Sequence, residues 1–364
     1  MKAKYSAAPN PRSTAAPAGA PSSQTAPAAS PAGGLRVYLY VTAGITGAAI
    51  MIVEILGAKM LAPWFGTSHF VWTAQIAVTL VALAAGYYAG GRLVGSSARL
   101  GRLYAAIAIA AGYLGLAVAI REWVVYLFLP LPLAAGSLLS SVFLFFVPLC
   151  LLAMTGPFLI RVLTTSLSEV GGNVGRLTSI STIGSFLGTL AIGYILIPLL
   201  PNSVTMYATA AILAVLGLCY FFLWKRKAST IASLAVVIAA GMAAGAWGVG
   251  ADAFHNPALV EIYRGNSNFG MLQVLQQSNR PYRYYLTDYL IQNTYDETQG
   301  RSVSMFTYML QGLARAYTPR LERVLVIGMG IGIVPRELAR GGADVDVVEI
   351  NPAVVPVARK YFDL

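Results

Sequence analysis

Apolar and polar positions divide the 364-residue chain into two unlike halves. Up to about residue 250, apolar runs follow one another with few charges between them, at 37–58, 71–91, 103–120, 138–160, 177–198, 203–224 and 229–250. At about 1.5 Å of rise per residue, each can cross a hydrocarbon core of about 30 Å. Small residues are dense in them, as at 44–49 and 184–193, which suits helices whose backbones approach closely. A further stretch, 123–135, is short and carries Pro130 and Pro132, so it reads as an interfacial or re-entrant piece. The pattern predicts a membrane α-helical bundle of about seven spans.

Beyond residue 250 the period changes. Short aromatic and β-branched runs at 259–263, 270–275, 283–286 and 289–292, parted by Gly, Asn and Asp, predict a small antiparallel sheet. Residues 302–316 space Met305, Met309, Leu310 and Leu313 as a helix does. A strand follows at 323–328, a helix at 333–340 and a strand at 344–349. The last helix, 352–362, opens with Asn351 as N-cap and Pro352 at its first position. That β-α-β-α order is the start of a Rossmann-like, doubly wound α/β domain. The expected divisions are a tail at 1–34, the bundle at 35–250, a β-rich subdomain with one helix at 251–322 and an incomplete nucleoside-binding half-domain at 323–364. Two parallel strands cannot bury both of their faces, so the sequence is expected to be a piece of a longer protein.

Composition agrees with this division. Hydrophobic residues make up 57% of the chain and charged ones 11%, against about a quarter charged in soluble domains. The tail is rich in Ala, Pro and Ser, which predicts disorder, and it lacks the apolar core of a signal peptide. The net charge of +11 falls wholly on residues 1–250, where 14 Lys/Arg face only Glu54, Glu122 and Glu169; residues 251–364 balance 11 against 11. A nucleic-acid binder would gather basic charge on a soluble surface, so nucleic acid is not an expected partner. With seven spans and a cytoplasmic N-terminus, Lys and Arg divide 12 inside to 2 outside, Lys59 and Arg121 being the two. This predicts a multi-pass cell-membrane protein with the segment after residue 250 outside. Cys150 and Cys219 lie in apolar runs as small hydrophobes, and the two histidines, His69 and His255, are too far apart in sequence to suggest a metal centre.

Candidate chemistry sits in Gly328-Met-Gly330-Ile-Gly332, between a strand and a helix, with Glu349 ending the next strand. Glycines let the backbone turn and approach a ligand, and an acid at the second strand tip can accept both hydroxyls of a ribose. The GxGxG spacing suits an adenosyl sulfonium better than a dinucleotide. Asn351 is counted with this binding set. In the membrane half, Glu54 is the candidate for transport chemistry, set against snorkelling or a pair with Lys59. Tyr282, Tyr284, Tyr285 and Tyr289 read as cross-strand packing, with a ligand-lining role as the alternative.

Residues 324–362, VLVIGMGIGIVPRELARGGADVDVVEINPAVVPVARKYF, resemble the nucleotide-binding segment of spermidine synthases. Asn268-Phe-Gly-Met-Leu-Gln-Val and Leu286-Thr-Asp-Tyr-Leu-Ile-Gln292 resemble that family's amino-terminal sheet. Leu61-Ala-Pro-Trp-Phe-Gly-Thr, Gly86-Tyr-Tyr-Ala-Gly-Gly-Arg92 and Gly184-Ser-Phe-Leu-Gly-Thr189 resemble membrane-fused spermidine synthase-like proteins. The resemblance implies aminopropyl transfer from decarboxylated S-adenosylmethionine, or a related adenosyl nucleoside, to a polyamine. Glu349 matches the family's ribose acid, and Gly328, Gly330 and Gly332 its glycine loop. Four positions depart. Ile331 stands where the family places an Asp that holds the donor's amino group. Phe306 and Thr307 replace its Tyr-His or Tyr-Gln pair, Gly270 replaces a donor-contacting Gln, and its catalytic Asp falls beyond Leu364. Gln292 sits where the second hairpin faces the family's active site. Three readings follow: a membrane-anchored transferase, a nucleoside-binding or sensor module without turnover, and a transporter with an accessory domain. Expected partners are membrane lipid, the nucleoside and a polyamine, with a homo-oligomer left open.

Overall fold

The computed structural model describes residues 33–96, 100–164, 166–225, 228–250 and 258–364. Residues 1–32 of the expected tail and His255 lie outside them, while Gly33 and Gly34, expected to belong to the tail, open the first helix. The first part is helical: α1 (Gly33–Phe65), α2 (His69–Ser96), α3 (Leu100–Phe128), α4 (Leu133–Ser141), α5 (Val147–Ala153), α6 (Thr155–Leu163), α7 (Val170–Ala191), α8 (Ile197–Leu199), α9 (Asn202–Tyr220) and α10 (Ala228–Gly250). Wide π turns at Val142–Phe146 and Ile192–Leu196 lead into α5 and α8, each of which has a proline, Pro148 or Pro198, in its first turn. A widened turn gives the proline ring room and leaves its missing N–H outside the α-type ladder. Fused across these joints, the helices form six units apolar and long enough to cross a membrane, compatible with a multi-pass membrane protein: Gly33–Phe65, His69–Val94, Leu100–Phe128, Leu133–Leu163, Val170–Leu199 and Asn202–Lys225. The seventh apolar run forms α10, whose apolar stretch among the described residues, Ala232–Ala246, is shorter than a span.

Small residues set the crossings. A Cβ on Gly184 of α7 would stand 2.1 Å from the Gly44 carbonyl oxygen of α1, and one on Gly188 2.7 Å from that of Ala48. The Ser185 hydroxyl donates to the Gly47 carbonyl across the same seam at 3.1 Å. On the other side, a Cβ on Gly241 of α10 would stand 2.2 Å from the Gly112 carbonyl oxygen of α3. Deeper in the bundle, Tyr104 stacks on Tyr220 with ring centroids 4.0 Å apart and shares a 2.8 Å hydrogen bond with Thr42.

The stretch 123–135 is not a separate interfacial piece. Its first part continues α3 to Phe128, and its end opens α4, with Pro132 as the residue before Leu133. Arg121 and Glu122 do not stop α3, because the Arg121 guanidinium folds back and donates to the Val118 carbonyl of its own helix at 2.9 Å.

The second part opens with a five-stranded antiparallel meander, β1 (Leu259–Gly265), β2 (Leu272–Gln277), β3 (Tyr282–Thr287), β4 (Leu290–Asp296) and β5 (Arg301–Ser302), in the order β1-β2-β3-β4-β5. Asp288 and Tyr289, with φ of 47° and 67°, form a two-residue turn between β3 and β4. Tyr289 therefore belongs to the turn rather than to the strand expected at 289–292. Then come α11 (Met305–Tyr317), β6 (Arg323–Ile327), α12 (Ile333–Arg340), β7 (Asp344–Val348) and α13 (Val354–Tyr361), with β6 and β7 parallel from Arg323↔Asp344 to Ile327↔Val348. One core joins the two sheets' elements: Leu272, Val274, Tyr285 and Tyr295 of the meander pack against Ile331, Ile333, Val357 and Phe362. Phe362 meets Tyr285 and Tyr295 edge-on, at 6.1 and 5.7 Å.

Candidate functional site

Between β6 and α12 the chain turns through Gly328, Gly330 and Gly332 at φ of 85°, 54° and 81°. A side chain at these values would be strained, so the turn needs glycine. A Cβ on Gly328 or Gly330 would meet nothing within 4 Å, so the loop faces open space there. Glu349, just past β7, holds the loop from below. Its Oε2 accepts the Met329 N–H at 2.8 Å and its Oε1 accepts the Asn351 N–H at 2.9 Å. Each carboxylate oxygen keeps further acceptor capacity, since an ionised carboxylate has about four lone-pair sites.

Asn351 is buried and does two things. Its Oδ1 accepts the Ala353 N–H at 3.1 Å, which caps the turn leading into α13. Its Nδ2 donates to the Ser267 hydroxyl at 3.0 Å, tying the glycine-loop side to the β1–β2 loop. The helix begins at Val354, two residues later than expected, because Pro352 and Ala353 form the turn that Asn351 caps.

The departures from the family pattern take physical form. Ile331 is 2% exposed and belongs to the apolar core. Gly270 has φ 110°, and a Cβ there would stand 2.9 Å from an Asp288 oxygen, so the backbone leaves no place for a longer side chain. The Thr307 hydroxyl donates to the Ser304 carbonyl at 2.8 Å, inside the first turn of α11, while Phe306 is half exposed. Gln292 is exposed on β4. Among the described residues, no hydrogen bond or ion pair joins Gln292, Phe306 or Thr307 to the glycine loop. The structure thus brings Gly328, Gly330, Gly332, Glu349 and Asn351 together and leaves the other three apart. Glu54 is half-buried in α1, and Lys59 pairs with Asp288 at 3.6 Å.

The tyrosine cluster splits by strand face. Tyr285 enters the core beside the glycine loop. Burial pushes its phenol up, a hydrogen bond with Thr287 opposes this, and the Glu349 carboxylate adds to the rise. Tyr284 faces away and donates to Gln277 at 2.9 Å. Sequence reasoning missed Ser267 and Arg336. Arg336 donates to the carbonyls of Gly300, Phe362 and Asp363, at 2.7, 3.3 and 3.0 Å, fastening α12 to the meander. The only sequence signal for Ser267 is its place three residues before Gly270 in a Ser-Asn-Phe-Gly turn.

Comparison with known proteins gives one partial likeness. A polyamine aminopropyltransferase of Vibrio vulnificus (strain CMCP6) is 38% identical over 71 residues, 19% of this chain and 23% of that protein. The chain therefore spans under a quarter of the curated relative it matches, and the likeness supports a spermidine synthase-like relationship. No protein-family model and no solved structure matches the chain.

Proposed function

We propose that the chain is a membrane-anchored, spermidine synthase-like protein that binds an adenosyl nucleoside of the S-adenosylmethionine type. The observation that carries this reading is the open glycine loop with Glu349 beneath it. A ribose standing over Gly328 and Gly330 would meet a carboxylate already oriented by the Met329 and Asn351 amides. Ile350, 73% exposed beside Glu349, offers an apolar surface of the kind a purine face needs. If the chain turns over, an amine nitrogen attacks the methylene next to the donor's sulfonium and the carbon–sulfur bond breaks. Methylthioadenosine then leaves, and the attacking amine loses a proton. By the relative's name the acceptor is a polyamine. The described residues provide for the nucleoside end of such a donor. Buried Ile331 supplies no carboxylate for its ammonium, which favours a second reading, nucleoside binding without turnover.

The test compares 5′-methylthioadenosine with its 2′,3′-dideoxy analogue by calorimetry on the protein in detergent. Hydrogen bonds to a charged group contribute about 1.5–3 kcal/mol, so the dideoxy compound is expected to bind at least tenfold more weakly. Equal affinities would remove Glu349 from the ribose.

The reading includes seven spans, with α10 as the seventh and the sheet-bearing part outside the cytoplasm, on the strength of the Lys/Arg distribution. Ser278 is exposed in the β2–β3 hairpin. In a background lacking Cys150 and Cys219, Ser278→Cys is expected to react with a membrane-impermeant thiol reagent in intact cells. Protection until lysis would mean that α10 does not cross and that six spans return the chain to the cytoplasm.

A further inference from the structure

We propose that the seam between the helical bundle and the meander binds a zwitterionic amphiphile, a lipid-like molecule whose headgroup carries one phosphate-type anion and one ammonium. The proposal does not depend on the nucleoside reading. A cavity of about 610 Å³ occupies this seam, within the range of small-molecule sites. The ends of α1 and α3 and the start of α9 form one wall; the β1–β2 loop and the Asp288-Tyr289 turn form the other.

Charges of both signs face it. Lys59, Arg121 and Arg264 bring three cations, and Glu122 and Asp288 bring two carboxylates, with Lys59 and Asp288 paired to each other at 3.6 Å. Arg264 is held in place by both oxygens of Glu261, at 2.6 and 3.0 Å. Arg121 is only 6% exposed and is anchored to the Val118 carbonyl, so its position is fixed before any ligand arrives. A pre-positioned guanidinium in a cavity wall is well suited to phosphate or carboxylate oxygens. A simple anion would also meet Glu122 and Asp288, and a diamine would also meet the three cations. A molecule carrying one group of each sign is matched to both sets.

The aromatic part of the wall argues that the ligand has a tail. Glu122 and Tyr126 line the cavity from the outward face of α3, where Tyr126 is 60% and neighbouring Trp123 65% exposed. Trp64, also in the wall, meets Tyr126 edge-on at 6.5 Å. Aromatic side chains gathered at the ends of apolar helices lie at headgroup level in a bilayer. The aromatic wall of the cavity therefore stands at headgroup level, with exposed Leu127 of α3 next to Tyr126 in the chain. Ser267 lines the same cavity and accepts the Asn351 hydrogen bond, which connects this site to the glycine loop.

The test titrates the protein, in maltoside micelles, with dihexanoyl phosphatidylethanolamine, dihexanoyl phosphatidylglycerol and free phosphoethanolamine, read by calorimetry. The expected result is saturable binding of the phosphatidylethanolamine, at least tenfold tighter than the phosphatidylglycerol. Lys59→Gln and Glu122→Gln are each expected to weaken it at least tenfold. Asn268→Trp, which fills the cavity from an exposed loop position without removing a charge, is expected to do the same. Competition by free phosphoethanolamine supports the site with the headgroup recognised alone; binding of the lipid without such competition supports it with the acyl chains required. Equal binding of phosphatidylglycerol, full affinity in Glu122→Gln or Asn268→Trp, or no saturable binding of any probe overturns the proposal.

Discussion

Ile331→Asp is expected to unfold the sheet-bearing half of the protein rather than to restore an amine site. Ile331 is 2% exposed, in one core with Leu272, Val274, Tyr285 and Phe362. A carboxylate there would lose its water without gaining a cation. An uncompensated buried charge costs about 3–5 kcal/mol, a large share of the roughly 5–15 kcal/mol that holds a domain folded. Ile331→Val removes one methyl from the same site and is expected to cost about 0.5–1.5 kcal/mol. Urea unfolding in detergent, followed by near-ultraviolet circular dichroism, separates the two. An Asp variant as stable as the Val variant, with a new preference for decarboxylated S-adenosylmethionine over methylthioadenosine, would show that position 331 faces the ligand.

Gly184→Leu is expected to break the α1–α7 crossing. The Cβ alone would stand 2.1 Å from the Gly44 carbonyl oxygen and 2.8 Å from its Cα, backbone atoms that a rotamer change cannot move. The helices must separate, and the contacts around Gly47, Ala48, Ser185 and Gly188 go with them. Overpacking commonly costs about 1–3 kcal/mol, and a backbone clash belongs at or above the top of that range. Ser185→Ala, which deletes only the 3.1 Å bond to Gly47, is expected to cost about 0.6 kcal/mol, the average for interhelical hydrogen bonds in membranes. Thermal unfolding in detergent reads both. An unchanged midpoint for Gly184→Leu would mean that the two backbones do not touch.

These two sites mark how much the sequence disclosed. Close packing at 44–49 and 184–193 was legible because close backbone approach demands small residues, but that these two stretches meet each other was not. The strands β1–β4, β6 and β7, α12 and the glycine turn were legible because period-2 runs, a 3.6-residue repeat and glycines at a strand end have local causes. The short β5 was not, since it falls at the start of the helix expected over 302–316. The stretch 123–135 misled because its prolines and the charges before it look like interruptions. In the structure Arg121 donates to a carbonyl of its own helix, and Pro132 stands before a helix, where its missing N–H costs nothing. The burial of Ile331 was not legible, since it depends on β2 and β3 reaching the glycine loop from far away in sequence. The seam cavity was hidden for the same reason: its walls come from residues 59–67, 121–126, 193–203 and 264–289. Local pattern names elements, and only long-range packing decides what lies between them.

The most direct test of the nucleoside reading is calorimetric titration of methylthioadenosine into wild-type protein and Glu349→Gln. The amide keeps an oxygen for one of the two backbone N–H groups that Glu349 holds, while removing the charge that a ribose diol would use. Loss of the charge-assisted part of two hydrogen bonds predicts a Kd at least about 30-fold higher for Glu349→Gln, with unchanged circular dichroism. Equal affinity in both proteins, or no binding to either, would contradict the assignment.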